Sequence, residues 1–260
     1  MGVPYLIMTL YDRIGFSWEK NSDIVIPSEK EPLSTLIFKL KKRFPEFVWD
    51  ASQLENNPIT FPEIKTLLDG ITIGGHKLSD VEQVTNLADS LEYLIKTLKN
   101  DSFKLDRDTF CKFNSIISRN ESLEWGVFRG EGSEINYTPN VALGERGVYM
   151  PLPTVAGAKE LILRFNDGVL ALESSFKEHA ISTHELAFAF FLFGALNQFF
   201  FDGNKRTSRL MMNGILMSNG YEAVTIPASK AIEFNRNMVD FYASKNATDM
   251  IKFLFECAQS

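Results

Sequence analysis

Lys205, Arg206 and Arg209 come directly after the turn-forming triplet Asp202-Gly203-Asn204. Gly203 and Asn204 supply the backbone freedom with which a helix begins. Leu210, Met211, Ile215, Leu216 and Met217 then continue as a helix until Asn219-Gly220, a stop signal. The three cations therefore fall in its first two turns, where a helix end is already positive. Arg206 and Arg209 are neighbours at i,i+3 and Lys205 and Arg209 at i,i+4, so they also repel one another. Such a group is disfavoured unless an anion, or a carboxylate from elsewhere in the chain, sits among the charges. Free backbone N–H groups and two guanidinium forks at a helix start make a cradle for phosphate. The competing reading is a surface helix whose basic residues are merely solvated.

The segment before the turn favours the cradle. Ser182 to Leu196 reads as a helix in which Phe188, Phe190, Phe191, Phe193 and Leu196 leave almost no polar face. A helix that is apolar all round is buried, so the turn at its end lies inside the fold.

The run from Gln198 to Arg209, Gln-Phe-Phe-Phe-Asp-Gly-Asn-Lys-Arg-Thr-Ser-Arg, resembles the signature of the Fic family, His-x-Phe-x-Asp/Glu-Gly-Asn-Gly-Arg-x-x-Arg. Phe200, Asp202, Gly203, Asn204, Arg206 and Arg209 fall on pattern positions. Gln198 stands where the family has its catalytic His, and Lys205 where it usually has the second Gly. A Gly-Asn-Lys-Arg-Thr core also occurs in the related Doc toxins, whose motif lacks the second Arg that this chain keeps as Arg209. The family transfers AMP from ATP to a Ser, Thr or Tyr hydroxyl of a target protein. The resemblance implies that Asp202 holds Mg²⁺ and that Gly203, Asn204 and Lys205 cradle phosphates through backbone N–H groups and the Asn204 side chain. It implies further that Arg206 and Arg209 clamp the β- and γ-phosphates, and that position 198 takes the target hydroxyl's proton. A neutral imidazole does that because its pKa lies near the working pH; a carboxamide has no usable basicity. Losing a general base typically removes about 10²–10⁴-fold in rate. Lys205 opens another outcome, since its bulk and charge would reverse the bound phosphates, as in the Doc relatives that phosphorylate. Two function classes stay open: a nucleotidyl- or phosphotransferase with impaired chemistry, and a pseudoenzyme that binds nucleotide or a partner.

A second stretch, Ala51 to Lys65, belongs to the same picture. Thr60 with Glu63 forms a capping box, which opens a helix running to about Asp69 and Gly70. Upstream, Glu46 to Asn56 makes a short helix with Phe47, Ala51 and Leu54 on one side. The stretch resembles the family's N-terminal inhibitory segment, Ser/Thr-x-x-x-Glu-Gly/Asn followed by a Thr-led helix, with Ala51 in place of the Ser/Thr. On that resemblance Glu55 is the inhibitory glutamate, Asn56 its follower, and Glu55 pairs with Arg209 where a γ-phosphate would sit. Trp125-Gly-Val-Phe-Arg129 matches the family's Gly-x-Phe/Tyr-Arg element. After it, Ile135 to Pro139 and Val148 to Met150 read as two extended runs around Gly144 to Gly147. The resemblance makes this hairpin, residues 135–150, a flap that holds a target's loop by strand addition.

Around these stretches the chain reads as helical. Glu31 to Phe44 ends in a basic cluster and is broken by Pro45. Ser79 and Glu82 form a capping box that opens a long amphipathic helix carrying Val81, Val84, Leu87, Leu91, Leu94 and Leu98. Asp106 starts a helix with Phe110, Phe113 and Ile117, and Thr154 leads into one from Val155 to about Phe165. Beyond an extended crossing from Tyr221 to Pro227, Ala228 to Tyr242 and Asn246 to Ala258 are helical, with Asn246 and Asp249 as cap and first-turn acid. Ile24 to Ile26 is a short strand or an extended arm. The fold expected is all-α, a Fic-type helical fold with a small β-hairpin flap. Its parts are an N-terminal helical extension over 1–100 with the inhibitory segment at about 46–69, a core over 101–225, and C-terminal helices over 226–260 packed on the core. No linker divides them.

At 260 residues, 45% hydrophobic and 23% charged, the chain has ample material for a core. A net charge of -6 argues against a general nucleic-acid coat or an anionic membrane surface. Cys111 and Cys257 lie far apart on apolar helix faces, and His76, His179 and His184 have no metal-binding partner at i+3 or i+4. Tyr5 to Leu10 is too short to span a bilayer, and no basic region precedes it. The expectation is a cytoplasmic protein with ATP and Mg²⁺ as cofactors and a target protein as partner. The oligomeric state stays open, a homodimer included.

Overall fold

The structure, a computed structural model, describes residues 9–20 and 29–259. In chain order these form α1 (Leu10–Ile14), α2 (Leu33–Lys42), α3 (Phe44–Gln53), α4 (Phe61–Leu68), α5 (Leu78–Lys99), α6 (Arg107–Ile117), β1 (Val141–Ala142), β2 (Val148–Tyr149), α7 (Lys159–Lys177), α8 (Thr183–Asn197), α9 (Asn204–Ser218), α10 (Ala231–Ser244) and α11 (Thr248–Ala258). Eleven helices and one two-stranded hairpin among the described residues bear out the all-α expectation. The segment Ile24 to Ile26 lies outside them.

α8 is the axis. Apart from Glu185 all its residues are buried, and it packs along α9 and against α7 and α11. Gly194 lets the two central helices close up, because a Cβ there would stand 2.1 Å from Ser208 Oγ. α9 in turn rests on α5 and α6, so the helix that carries the cations is enclosed on several sides. One hydrophobic cluster runs through the molecule, from Ile14 to Cys257. No helix among the described residues is long and apolar enough to cross a membrane.

The stretch from α3 to α4 is tied to this body. Thr60 and Glu63 form their capping box, Oγ1 donating to Glu63 Oε2 at 2.7 Å. On α3, buried Asp50 accepts from the Ala228 N–H at 2.9 Å and from Thr225 Oγ1 at 3.1 Å, pinning the helix to the extended crossing.

Several boundaries move. Pro45 opens α3 within its first turn, where a missing N–H is harmless, so α2 ends and α3 begins almost at once. α5 starts at Leu78 without a side-chain cap; the Ser79–Glu82 box does not form, because Ser79 is already inside the helix. α7 starts at Lys159 rather than Val155, since Val155 to Ala158 makes a turn closed by the Ala158 N–H to the Val155 carbonyl at 2.9 Å. The hairpin's first strand is Val141–Ala142, paired with Tyr149 and Val148, whereas residues 135–139 stay outside it. In the last helix Ala247 is the cap residue, and Asn246 Oδ1 receives the Thr248 N–H at 2.9 Å.

His184 is structural, packed against Tyr221, Phe188 and Phe255. Burial holds its imidazole down to about 4 from an ordinary 6.5. Protonation therefore favours the unfolded chain. Its contribution is complete above about pH 6.5 and is lost as pH falls towards about 4, amounting to about 3 kcal/mol at most. His184→Phe is expected to flatten stability across that window, as measured by urea unfolding at a series of pH values.

Candidate functional site

α8 ends where Gln198 turns left-handed (φ +47) and its N–H bonds to the Gly194 carbonyl at 3.3 Å. The loop then runs to Gly203, which caps α9 at φ +73. Glycine is required there twice over: for that φ, and because a Cβ would meet Ser118 Oγ at 2.1 Å. α6 holds the loop through the Asp202 carbonyl, which accepts from Asn114 Nδ2 at 3.1 Å and from Ser118 Oγ at 3.2 Å. The first helical bond of α9 is the Thr207 N–H to the Gly203 carbonyl, 2.8 Å. The N–H groups of Asn204, Lys205 and Arg206 have no acceptor within the helix and are available to an anion.

Not every side chain does what the motif suggests. Asn204 turns inward: its Nδ2 donates to the Phe200 carbonyl at 2.8 Å and to Gln198 Oε1 at 3.1 Å, and its Oδ1 accepts the Phe200 N–H at 2.9 Å. It shapes the loop, leaving only its backbone for a ligand. Gln198 is equally engaged, its Nε2 donating to the Ala195 carbonyl at 2.6 Å and to the Tyr242 oxygen at 3.3 Å. Its own carbonyl receives Nε of the fully buried Arg129, 2.6 Å away. Tyr242 also stacks near Tyr149 of β2, centroids 5.2 Å apart, so the hairpin and position 198 meet through one ring.

Both arginines of the motif are buried, with different partners. Arg206 Nη1 pairs with Glu121 Oε2 at 2.7 Å and lies 3.6 Å from Asp202. Glu121 also takes hydrogen bonds from Gln83 and Asn86 of α5, at 3.2 and 3.1 Å. Arg209 faces Glu55 at 3.6 Å, an ion pair too long for a hydrogen bond. Arg209 Nη1 and Nη2 and Glu55 Oε1 have no hydrogen-bond partner among the described residues. Burial pushes the Glu55 carboxyl up, but Arg206, Lys205 and Arg209 outweigh it and hold the group below its ordinary value. Glu55 is aimed by its own loop. Asn56 follows it in the left-handed region (φ +57), and Asn57 Nδ2 bonds to the Asp80 carbonyl of α5 at 2.9 Å.

Gln198, Asp202, Gly203, Asn204, Lys205, Arg206 and Glu55 thus line one cavity, and Arg209 stands behind Glu55. Glu121, Arg129 and Tyr242 escaped the sequence reading as partners. The Glu121–Arg206 contact spans 85 positions, and no local spacing marks it.

Arg206 therefore supports the fold as well as the site. Arg206→Ala would strip the mostly buried Glu121 of its cation and leave it the Gln83 and Asn86 hydrogen bonds, an expected cost of about 3 kcal/mol at most. Arg209→Ala removes a cation with no hydrogen bond and leaves Glu55 near Arg206 and Lys205, so it should cost less. Denaturant unfolding of the two variants without ligand checks the contrast.

Comparison with known proteins gives the arrangement a fold. No family profile matches the chain. It is 23% identical over 225 residues to a protein adenylyltransferase Fic of Culex quinquefasciatus, covering 84% of this chain and 41% of that protein. It is 22% identical over 260 residues to the protein of that name in Drosophila persimilis, covering 98% and 47%. The chain spans less than half the length of these curated relatives. Among solved structures, a Fic domain containing signaling protein from Bacteroides thetaiotaomicron VPI-5482 superposes with a TM-score of 0.70 at 19% identity, covering 87% of this chain and 91% of that one. A Fic-1 segment from C. elegans gives 0.67 at 18%, covering 87% and 67%.

The chain folds as a Fic domain. The residues at this site bear on the nucleotide and metal that the family resemblance implies. Arg209 presents two buried, unpartnered N–H-bearing nitrogens, the donor type suited to phosphate. The cavity lined by the motif loop and Glu55 has room for only ≈ 50 Å³, enough for a water or two, and Glu55, part of that lining, carries the ion pair to Arg209. Asp202 is half exposed. Among the described residues no three His, Cys, Asp or Glu gather as a metal site. A lone carboxylate fits Mg²⁺, which is commonly held by one or two carboxylates together with substrate phosphates.

Proposed function

We propose that this protein binds a Mg²⁺-nucleotide, with ATP as the family's substrate, and that its transfer of AMP to protein hydroxyls is impaired. The observation that carries the reading is the buried Arg209 guanidinium, whose Nη1 and Nη2 have no hydrogen-bond partner among the described residues, with Glu55 at 3.6 Å and the Phe234 ring centroid 5.8 Å away. A cation buried in that state at a helix start calls for an anion with several acceptor oxygens. The Asn204, Lys205 and Arg206 N–H groups supply donors to phosphates, whereas the Gly203 N–H donates to Asp202 Oδ1 at 2.5 Å; Arg206 and Arg209 supply charge, and Asp202 would hold Mg²⁺. When bound, Mg²⁺ neutralises phosphate charge. At position 198 the Gln amide takes part in hydrogen bonds to Ala195, Tyr242 and Asn204 and offers no basic atom to an incoming hydroxyl. A target would dock along the hairpin, whose Val148 and Met150 are exposed beside Tyr149. By its homologues' names the lineage is that of adenylyltransferases; binding without transfer is the state that Gln198 favours here.

The test is calorimetric titration of the protein with ATP and with ADP, each with Mg²⁺. Saturable binding is expected in the wild type, and its loss in Arg209→Ala with folding intact by circular dichroism. Unchanged affinity in that variant would remove Arg209 from the site and with it this reading.

A further inference from the structure

A second cavity, of ≈ 600 Å³, opens between the end of α2, the first turn of α3, the end of α4 and the last turns of α5. Phe44, Leu68 and Ile95 supply its apolar surface, and Lys41, Lys96 and Lys99 stand around it. The volume lies within the range of sites for small organic ligands, about 300–1,000 Å³.

Two features separate this site from an ordinary basic surface. Lys39 and Arg43, from the same run as Lys41, are each paired, with Glu31 and Glu222 and with Glu46. Lys41, Lys96 and Lys99 form no ion pair among the described residues, and Glu92, the only acid in the wall, pairs with none of them. Three lysines without an ion pair among the described residues border one cavity of a chain whose net charge is -6. Helix dipoles account for lysines at the ends of α2 and α5 taken singly. They do not account for a concave apolar floor between them, in which Phe44 and Leu68 remain partly open.

We propose that this cavity is a binding site for a small amphipathic anion: a carboxylate or phosphate on an apolar body, its charge met by Lys41, Lys96 and Lys99 and its body laid on Phe44, Leu68 and Ile95. An ammonium on a flexible stem suits such a ligand, since it follows the anion while its methylenes cover the apolar part. The walls include Phe44 and Leu68, the first residue of α3 and the last of α4, so an occupant touches both helices that flank Glu55. The site stands whether or not the motif loop binds nucleotide.

The full chain is titrated by calorimetry with dodecanoate, dodecyl phosphate, inorganic phosphate and dodecyltrimethylammonium, each below its micellar concentration. The variants are Lys96→Glu with Lys99→Glu, and Lys41→Glu, all exposed positions whose change leaves the core alone. Saturable binding of the two anionic amphiphiles is expected, their ratio telling carboxylate from phosphate preference. The double variant should weaken both by at least about tenfold, as expected from losing two charge contacts. Shifts of the Leu68 and Ile95 methyl resonances should place the ligand. Equal affinity for the cationic amphiphile, inorganic phosphate binding as tightly as dodecyl phosphate, indifference to charge reversal, or no saturable binding would each overturn the proposal.

Discussion

Gln198→His combined with Glu55→Gly is expected to produce auto-AMPylation that neither change yields alone. On the proposed function the wild type has two separate defects. Position 198 has no base, and its amide is instead bound up with Ala195, Tyr242 and Asn204. Glu55 meanwhile stands on Arg209, where the triphosphate would need its charge. Restoring a base should be worth about 10²–10⁴-fold, but only once the triphosphate lies productively, so the two effects should be strongly non-additive. The measurement uses ATP labelled at the α-phosphate and, separately, at the γ-phosphate, on wild type, both single variants and the double variant. Protein-bound α-label on the double variant alone is the expected result. Label retained only from the γ-phosphate would mean that Lys205 turns the site towards phosphorylation. Strong α-label on the wild type would refute the impaired-base reading, and no label on any variant would leave a binding module.

The second large effect is on affinity. Glu55→Gly should tighten ATP by roughly 5–150-fold, the usual span for coupling between two competing occupants, and tighten ADP much less. Glu55 faces Arg209 rather than the Glu121-paired Arg206, and Arg209 is the residue assigned to the last phosphate. Because Lys205, Arg206 and Arg209 hold the Glu55 carboxyl below its ordinary value, the ion pair should persist as long as the carboxylate stays charged. The ATP-to-ADP difference between variant and wild type should therefore be flat between about pH 6 and 8. Calorimetry with both nucleotides checks it, and equal gains for ATP and ADP would show that Glu55 does not contest the γ-phosphate.

Much of this was legible without coordinates, for identifiable reasons. A helix apolar on every side has to be buried, so α8 and the turn after it read as central from Phe188 to Leu196 alone. Capping residues act within a single turn, and Thr60 with Glu63 marked the start of α4 correctly. Three cations at one helix start demanded an anion or a carboxylate, and the pairing of Glu55 with Arg209 followed from the family likeness before any distance was known. Local rules failed where two of them competed. Ser79 and Glu82 had the spacing of a cap, yet the helix continued past them to Leu78. The residues at 135–139 had strand character and found no strand to pair with.

What the chain determined by itself was the need for charge compensation at Lys205, Arg206 and Arg209, and the absence of a base at position 198. Both are properties of residue type and near spacing. Only the tertiary structure decided how that need is divided. It gives Arg206 to Glu121, 85 positions away, and leaves Arg209 with an ion pair and no hydrogen bond. It also turns the Asn204 side chain back into its own loop. The physical reason is that compensation of a buried charge depends on distances of a few ångströms between segments remote in sequence, and only the packing of α3, α5 and α6 around α9 sets those distances.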